Sequence, residues 1–318
     1  MIKQFFLPTG LVLALAAAFL APAGGVIIAE NHGVKALIFL IFLVSGFQNG
    51  PRGLPLNRGL LKIFLASAVI SLLLAPLLGV LVTRAVDFTP TVALGIIIIT
   101  AMPPTISSGI VITEVSRGNA VLAMFLTITL NLSAIFVIPY VLDIGLETAG
   151  TIDINRSALL LKMLLLVLLP FALGKLFRSV TGKTRVSPNW SYVNSACVIL
   201  VVYSSLSGSQ DVFAHANTGH YLLILFAVAL LHILLLLINN QAGKLLDLGI
   251  ADRKAFVFVT SQKTIAVGLA VLANINYDTG NAVIVCLMFH FFQLIADSFL
   301  AGWWQKRGKK FRKNRAGT

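Results

Sequence analysis

Apolar residues gather into ten long stretches separated by short polar connections: 5–22, 34–48, 60–83, 91–113, 119–141, 158–178, 190–208, 220–240, 254–275 and 280–302. About 20 apolar residues wound as a helix cross the roughly 30 Å hydrocarbon core of a bilayer. The pattern therefore predicts ten membrane-crossing helices, the second of them short. The connections leave too little chain for a separate soluble domain. The first stretch, Phe5 to Ala21, follows a single lysine and is succeeded at once by further spans, so it reads as a retained helix and not a cleaved signal peptide.

The polar connection 142–157 divides the ten as five and five: 1–141, then 158–302, with 303–318 as a tail. An odd number of crossings per half makes the halves insert in opposite senses. The expected fold class is an all-α polytopic membrane protein with ten transmembrane helices in two inverted five-helix repeats, helices 4 and 9 being crossed and discontinuous. Both of those stretches are interrupted. In the fourth, apolar Val92 to Ile99 give way to Pro103-Pro104-Thr105 and Ser107-Ser108-Gly109 before Ile110. Proline has no N–H, and its ring clashes with the preceding turn; the carbonyls left unpaired are tolerated in a membrane only where protein, water or a ligand satisfies them. In the ninth, Thr260-Ser261-Gln262-Lys263-Thr264 stands between apolar flanks with no proline.

Composition agrees with burial in lipid. Of 318 residues, 58% are hydrophobic and 11% charged, against roughly 25% charged in soluble domains, which excludes an ordinary soluble enzyme. The net charge of +13 is sorted by side. If the termini share a side, that side carries nineteen basic residues, seven of them between Lys306 and Arg315, and the other carries Lys35, Arg84, Arg156 and Lys162. Positive residues stay in the cytoplasm, which puts both termini there, in a plasma or bacterial inner membrane. The basic tail is expected to meet anionic lipid head groups; nucleic acid is not implied. Cys197 and Cys286 lie in apolar runs without metal or disulfide spacing, and no phosphate-binding loop or metalloprotease motif is present.

Lys263 is the most informative residue. It lies about nine residues into its helix, roughly 13 Å at 1.5 Å per residue, near the midplane, where a charge normally faces the bundle interior or a wet cavity. Two roles fit: binding a substrate anion, or filling the place of a coupling cation beside the loosened carbonyls of the fourth stretch. Its neighbours Ser261, Gln262 and Thr264, with Pro104, Thr105, Ser107 and Ser108 of the fourth stretch and Thr127 and Asn131 of the fifth, complete the candidate substrate or ion site. Glu114 pairs with Arg117 at an interface or lines an access path. His290 and Asp297, seven apart and so on one helix face, are candidates for a proton or ion relay.

Met102-Pro103-Pro104-Thr105-Ile106-Ser107-Ser108-Gly109, followed by Ile112-Thr113, resembles the fourth-helix signature of the bile acid:sodium symporter superfamily. It looks most like the branch containing the vertebrate solute carrier family 10 member 7. Phe42 to Phe47 with Ser45-Gly46, and Arg117-Gly118-Asn119, resemble further elements of that branch. The resemblance implies a panel domain of helices 1, 2, 6 and 7 and a core domain of helices 3–5 and 8–10, with substrate in the crevice between them. It also implies organic-anion transport coupled to Na+, with Thr127 matching a sodium-site threonine. One departure stands out. The ninth-helix carboxylate of the sodium site falls near Ser261, and Lys263 stands two positions on. Two like charges 4 Å apart repel by about 4 kcal/mol at an effective dielectric of 20, which argues against the usual two-sodium arrangement.

The sequence thus predicts a secondary active transporter of a small organic anion. It would work by alternating access, coupled to sodium or protons or with Lys263 substituting for the coupling cation, and would be neither an enzyme nor dependent on a cofactor beyond Na+. The competing reading is a non-transporting regulatory membrane protein affecting calcium homeostasis.

Overall fold

The computed structural model describes residues 2–48, 57–105, 108–148, 155–181, 187, 189–208, 218–275 and 280–315. Every regular element among them is helical: α1 Ile2–Leu20, α2 Ala23–Glu30, α3 Gly33–Gln48, α4 Arg58–Ala68, α5 Ala75–Ala85, α6 Pro90–Ala101, α7 Ser108–Val115, α8 Ala120–Thr148, α9 Arg156–Met163, α10 Leu169–Val180, α11 Trp190–Ser207, α12 Thr218–Leu245, α13 Ile250–Ser261, α14 Ile265–Leu272 and α15 Gly280–Arg315. Asparagines set several starts. Asn57 accepts the Leu60 N–H at 2.8 Å, Asn155 that of Ala158 at 2.9 Å, and Asn119 those of Val121 and Leu122, which satisfies amides a helix start leaves unpaired.

The expected ten crossings are not found. Among the described residues six helices are long and apolar enough to cross a membrane: Arg58–Ala85, Ala120–Glu147, Arg156–Val180, Gly219–Leu245, Ile250–Leu272 and Asn281–Lys306. A seventh is obtained if Thr9–Leu20 and Ala23–Glu30, bent by 98° at Pro22, count as one span. Each missing crossing has a cause. Gly33–Gln48 and the apolar part of α11, Tyr192–Ser207, are short, the first reaching only about 24 Å at 1.5 Å per residue. The fourth stretch is divided at its prolines into α6 and α7, of 12 and 8 residues. Six or seven crossings do not form two inverted sets of five. The molecule is an all-α polytopic membrane protein with six to seven candidate spans. Residues 149–154 of the proposed connection between halves lie outside the described residues.

Two spans carry π-helical stretches, Val69–Leu74 and Leu164–Leu168. Their cause is in the sequence. Ala75 N–H bonds the carbonyl of Ile70 and Leu169 N–H that of Leu164, each five residues back, and Pro76 and Pro170 follow. In that register each proline should next bond the carbonyl of Ser71 or Leu165, but it has no N–H to give.

The helices around the centre pack through small residues. α3 and α10 approach so closely that a Cβ on Gly46 would lie 2.0 Å from the Phe171 carbonyl oxygen, and one on Gly174 2.0 Å from that of Leu43. Small residues allow such backbone contact in membrane helices. Gly174→Ala must push the two helices apart, and is expected to cost about 1–3 kcal/mol of stability, read as a lowered melting temperature in detergent; an unchanged melt would show that the helices are not in backbone contact. The innermost layer is formed by α6, ten of whose twelve residues are buried, and by the stretch 254–272, every residue of which is buried.

Candidate functional site

Both innermost helices are interrupted, and the interruptions face each other. After Ala101 the chain turns extended at Met102 (φ −69°, ψ 151°), and α7 begins at Ser108. After Ser261 it turns extended at Gln262 (φ −71°, ψ 151°) and stays so through Thr264 (φ −89°, ψ 125°) before α14. The Thr264 N–H donates to the Pro103 carbonyl at 2.8 Å, so the two unwound segments pair by backbone. Asn131 donates to the Pro104 carbonyl at 3.0 Å and to the Thr127 carbonyl at 2.8 Å. These are the partners that proline-broken carbonyls need in the absence of water. Ser107 lies outside the described residues.

Side chains tie the segments together. The Gln262 side-chain oxygen accepts from Thr105 at 2.5 Å and from Ser108 at 3.0 Å. Its amide nitrogen donates to Asp297 Oδ2 at 2.7 Å, and His232 Nε2 meets Asp297 Oδ1 at 2.9 Å. Ser261 accepts from Asn239 at 2.9 Å. Asp297, His232, Ser261 and Gln262 are all fully buried.

Lys263 is fully buried as well. Its ammonium donates to the Ser71 carbonyl at 2.6 Å and to the Ser71 hydroxyl at 3.1 Å. That carbonyl is the one Pro76 cannot serve, so the span Arg58–Ala85 presents a spare acceptor and Lys263 fills it. The backbone of Lys263 is held by Gln293, whose side-chain oxygen accepts the Lys263 N–H and whose amide nitrogen donates to the Lys263 carbonyl, both at 2.8 Å. The same nitrogen meets His290 Nδ1 at 2.9 Å. Because an amide nitrogen donates, Nδ1 accepts, and the ring proton sits on Nε2.

The sequence-predicted residues are therefore only partly united. Ser261, Gln262, Lys263, Thr264, Pro104, Thr105, Ser108 and Asn131 converge on the two breaks. His290 and Asp297 do not touch each other; one reaches Lys263 through Gln293, the other binds Gln262. Glu114 is exposed near the end of α7, and among the described residues it forms no ion pair with Arg117. Thr127 is buried, and its hydroxyl has no hydrogen-bond partner. Sequence reasoning missed Ser71, whose signal was Pro76 five residues on. It also missed Gln293, which shares a face with His290 and Asp297 at spacings of three and four.

At the breaks the hydroxyls of Thr105 and Ser108 give their protons to Gln262, and both oxygens of Asp297 are hydrogen-bonded. Among the described residues no three His, Cys, Asp or Glu side chains gather as a metal cluster.

Two crevices flank the Arg156–Val180 span. One is lined by Phe42, Thr127, Ile128, Asn131, Leu132, Ile135, Val167 and Phe171. The other is lined by Leu159, Lys162, Met163, Leu166, Val167, Val267, Ala270, Val271 and Asn274.

Relatives of known description agree with a membrane transporter. The chain is 28% identical over 331 residues to the probable sodium/metabolite cotransporter BASS4 of chloroplasts from Oryza sativa subsp. indica, covering 97% of this chain and 77% of that one. The Arabidopsis thaliana protein of the same description is 28% identical over 329 residues, covering 96% and 73%. The sodium/bile acid cotransporter 7-A of Xenopus laevis is 22% identical over 335 residues, covering 98% and 96%. Plant and vertebrate members both match, so the superfamily is established without the branch. With residues 3–306 matching its model, the chain belongs to the SBF-like CPA transporter family, a family of transporters and not of enzymes.

Proposed function

We propose that this chain is a secondary transporter of a small organic anion in which the Lys263 ammonium occupies the place of a coupling cation. The observation that carries the reading is the fully buried Lys263, donating to two oxygens of Ser71 where the two unwound segments pair. A charge taken out of water costs several kcal/mol unless the protein compensates it, so a cation kept at this position is maintained for use. Asp297, also fully buried, holds the neighbouring Gln262 by one hydrogen bond.

Motion would occur between two bodies. α3 packs on α10 through reciprocal glycines, and α11 packs on α1, α2 and α3, which supports treating α1–α3 and α9–α11 as one panel. The remaining helices, including both broken ones, form the other body, and both crevices lie where panel meets core. The charge distribution supports cytoplasmic termini, with the basic C-terminal tail meeting anionic lipid head groups.

The test is a screen of carboxylates, sulfonates and phosphates against the purified protein, with sodium and with sodium replaced by choline. At least one anion is expected to raise the melting temperature and to be taken up by proteoliposomes equally well in both salts, and Lys263→Ala is expected to lose the effect. An absolute requirement for sodium would remove Lys263 from the role of resident cation; no response to any anion would remove the transport reading itself.

A further inference from the structure

The two crevices have one residue in common, Val167, which is 6% exposed and lies in the π-helical stretch Leu164–Leu168. We propose that they are the two halves of one path for a slim organic anion, that Val167 is the constriction between them, and that Lys162 holds the anion's charge at one mouth. The proposal rests on the transport reading above and names the route and the charge-binding group that reading leaves open.

Three observations carry it. Both crevices lie along the same span, between panel and core, and this side chain is the one lining residue they share. The chemistry at their ends also differs in a way that suits an amphipathic anion. The Lys162 ammonium gives one proton to the Asn274 carbonyl at 3.0 Å and keeps two for a carboxylate or sulfonate. Beyond Val167, the first crevice has no charged side chain. It presents apolar walls, including Phe42 and Phe171, with Asn131 and the unpartnered, buried Thr127 hydroxyl, which suits the apolar body of the solute and a single hydrogen-bond acceptor.

The third observation concerns the backbone. Pro170 can bond neither Leu166 in an α register nor Leu165 in a π register, because it has no N–H. Passing from one register to the other therefore loses no bond at that position, and such a shift re-aims the side chains of 164–168. π-helical turns of this kind occur frequently at functional sites. Val167 is thus placed on the part of the span where a change of register is least opposed.

The experiment uses thiol labelling in proteoliposomes, so it needs no identified solute. Val167→Cys is made with Cys197→Ser and Cys286→Ala, and compared with Leu165→Cys, whose side chain is 51% exposed on the outside of the same stretch. The probe is the anionic 2-sulfonatoethyl methanethiosulfonate. Cys at 167 is expected to react about tenfold faster than Cys at 165 or more, since the reactive thiolate needs a polar path. Adding Lys162→Gln is expected to slow the anionic probe severalfold and leave neutral methyl methanethiosulfonate unaffected. Equal rates at 165 and 167, or a Lys162→Gln effect identical for both probes, overturn the proposal. If the parent protein takes up no anion at all, the transport reading fails, and the labelling rates still decide whether the path exists.

Discussion

Lys263→Ala is expected to destabilise the protein by about 3–5 kcal/mol, because it takes the buried donor away from Ser71 and empties the space of a long side chain. Two losses combine. The Ser71 carbonyl, which Pro76 already deprives of a helical donor, is left without Lys263, and an unsatisfied buried acceptor costs about 1–3 kcal/mol. The space of a four-carbon stem is emptied, and large-to-small changes in cores cost a few kcal/mol. Lys263→Met keeps the stem and loses only the charge, so it should be less damaging. The two variants also separate by rescue. Ammonium or methylammonium chloride should restore part of the stability of Lys263→Ala by entering the vacated space, and should do nothing for Lys263→Met, which fills it. Thermal melts in detergent decide the matter. A Lys263→Ala protein as stable as the parent, or equal stabilisation of both variants by ammonium, would mean that the ammonium is not held as described.

Much of this site was legible in the sequence, and the reasons differ from element to element. Pro103-Pro104 announces the first break covalently. Lys263 announces the second, because a charge among Val259 and Ile265 has to be enclosed by protein. The number of crossings was not legible. Hydropathy counts apolar stretches, and it cannot register that Pro22 turns the chain by 98° or that the fourth stretch divides into helices of 12 and 8 residues. The partners of Lys263 were hidden for another reason. Ser71 looks like any helical serine, and it becomes an acceptor only because a π turn and Pro76 together free its carbonyl. His290 and Asp297 were read as a pair from their spacing, whereas Gln293 between them makes the decisive contact and separates their roles.

Gln293 also explains how the second break persists without proline. Nothing covalent prevents Gln262, Lys263 and Thr264 from winding into a continuous helix with α13 and α14, and a membrane interior favours every backbone bond closed within its own segment. What opposes closure is a set of replacement partners: Gln293 for both the N–H and the carbonyl of Lys263, and Pro103 for the N–H of Thr264. Gln293→Leu keeps the volume and removes both bonds of Lys263. At about 1–3 kcal/mol for each buried group left unpaired, the expected loss is about 2–6 kcal/mol. Gln293→Glu, which still accepts the N–H but cannot serve the carbonyl or His290, should fall between. Hydrogen exchange at the Lys263 amide provides a readout that general destabilisation does not move in the same way. In Gln293→Leu this amide should exchange much faster than those of the flanking turns of α13, or, if the segment rewinds, should become as protected as they are. Unchanged stability together with unchanged protection at Lys263 would show that the side chain of Gln293 does not hold the break open. The fourth and ninth stretches are therefore unwound by different means, one by residues that cannot be helical and the other by a neighbour that makes it unnecessary, and only the second can be reversed by a single substitution on another helix.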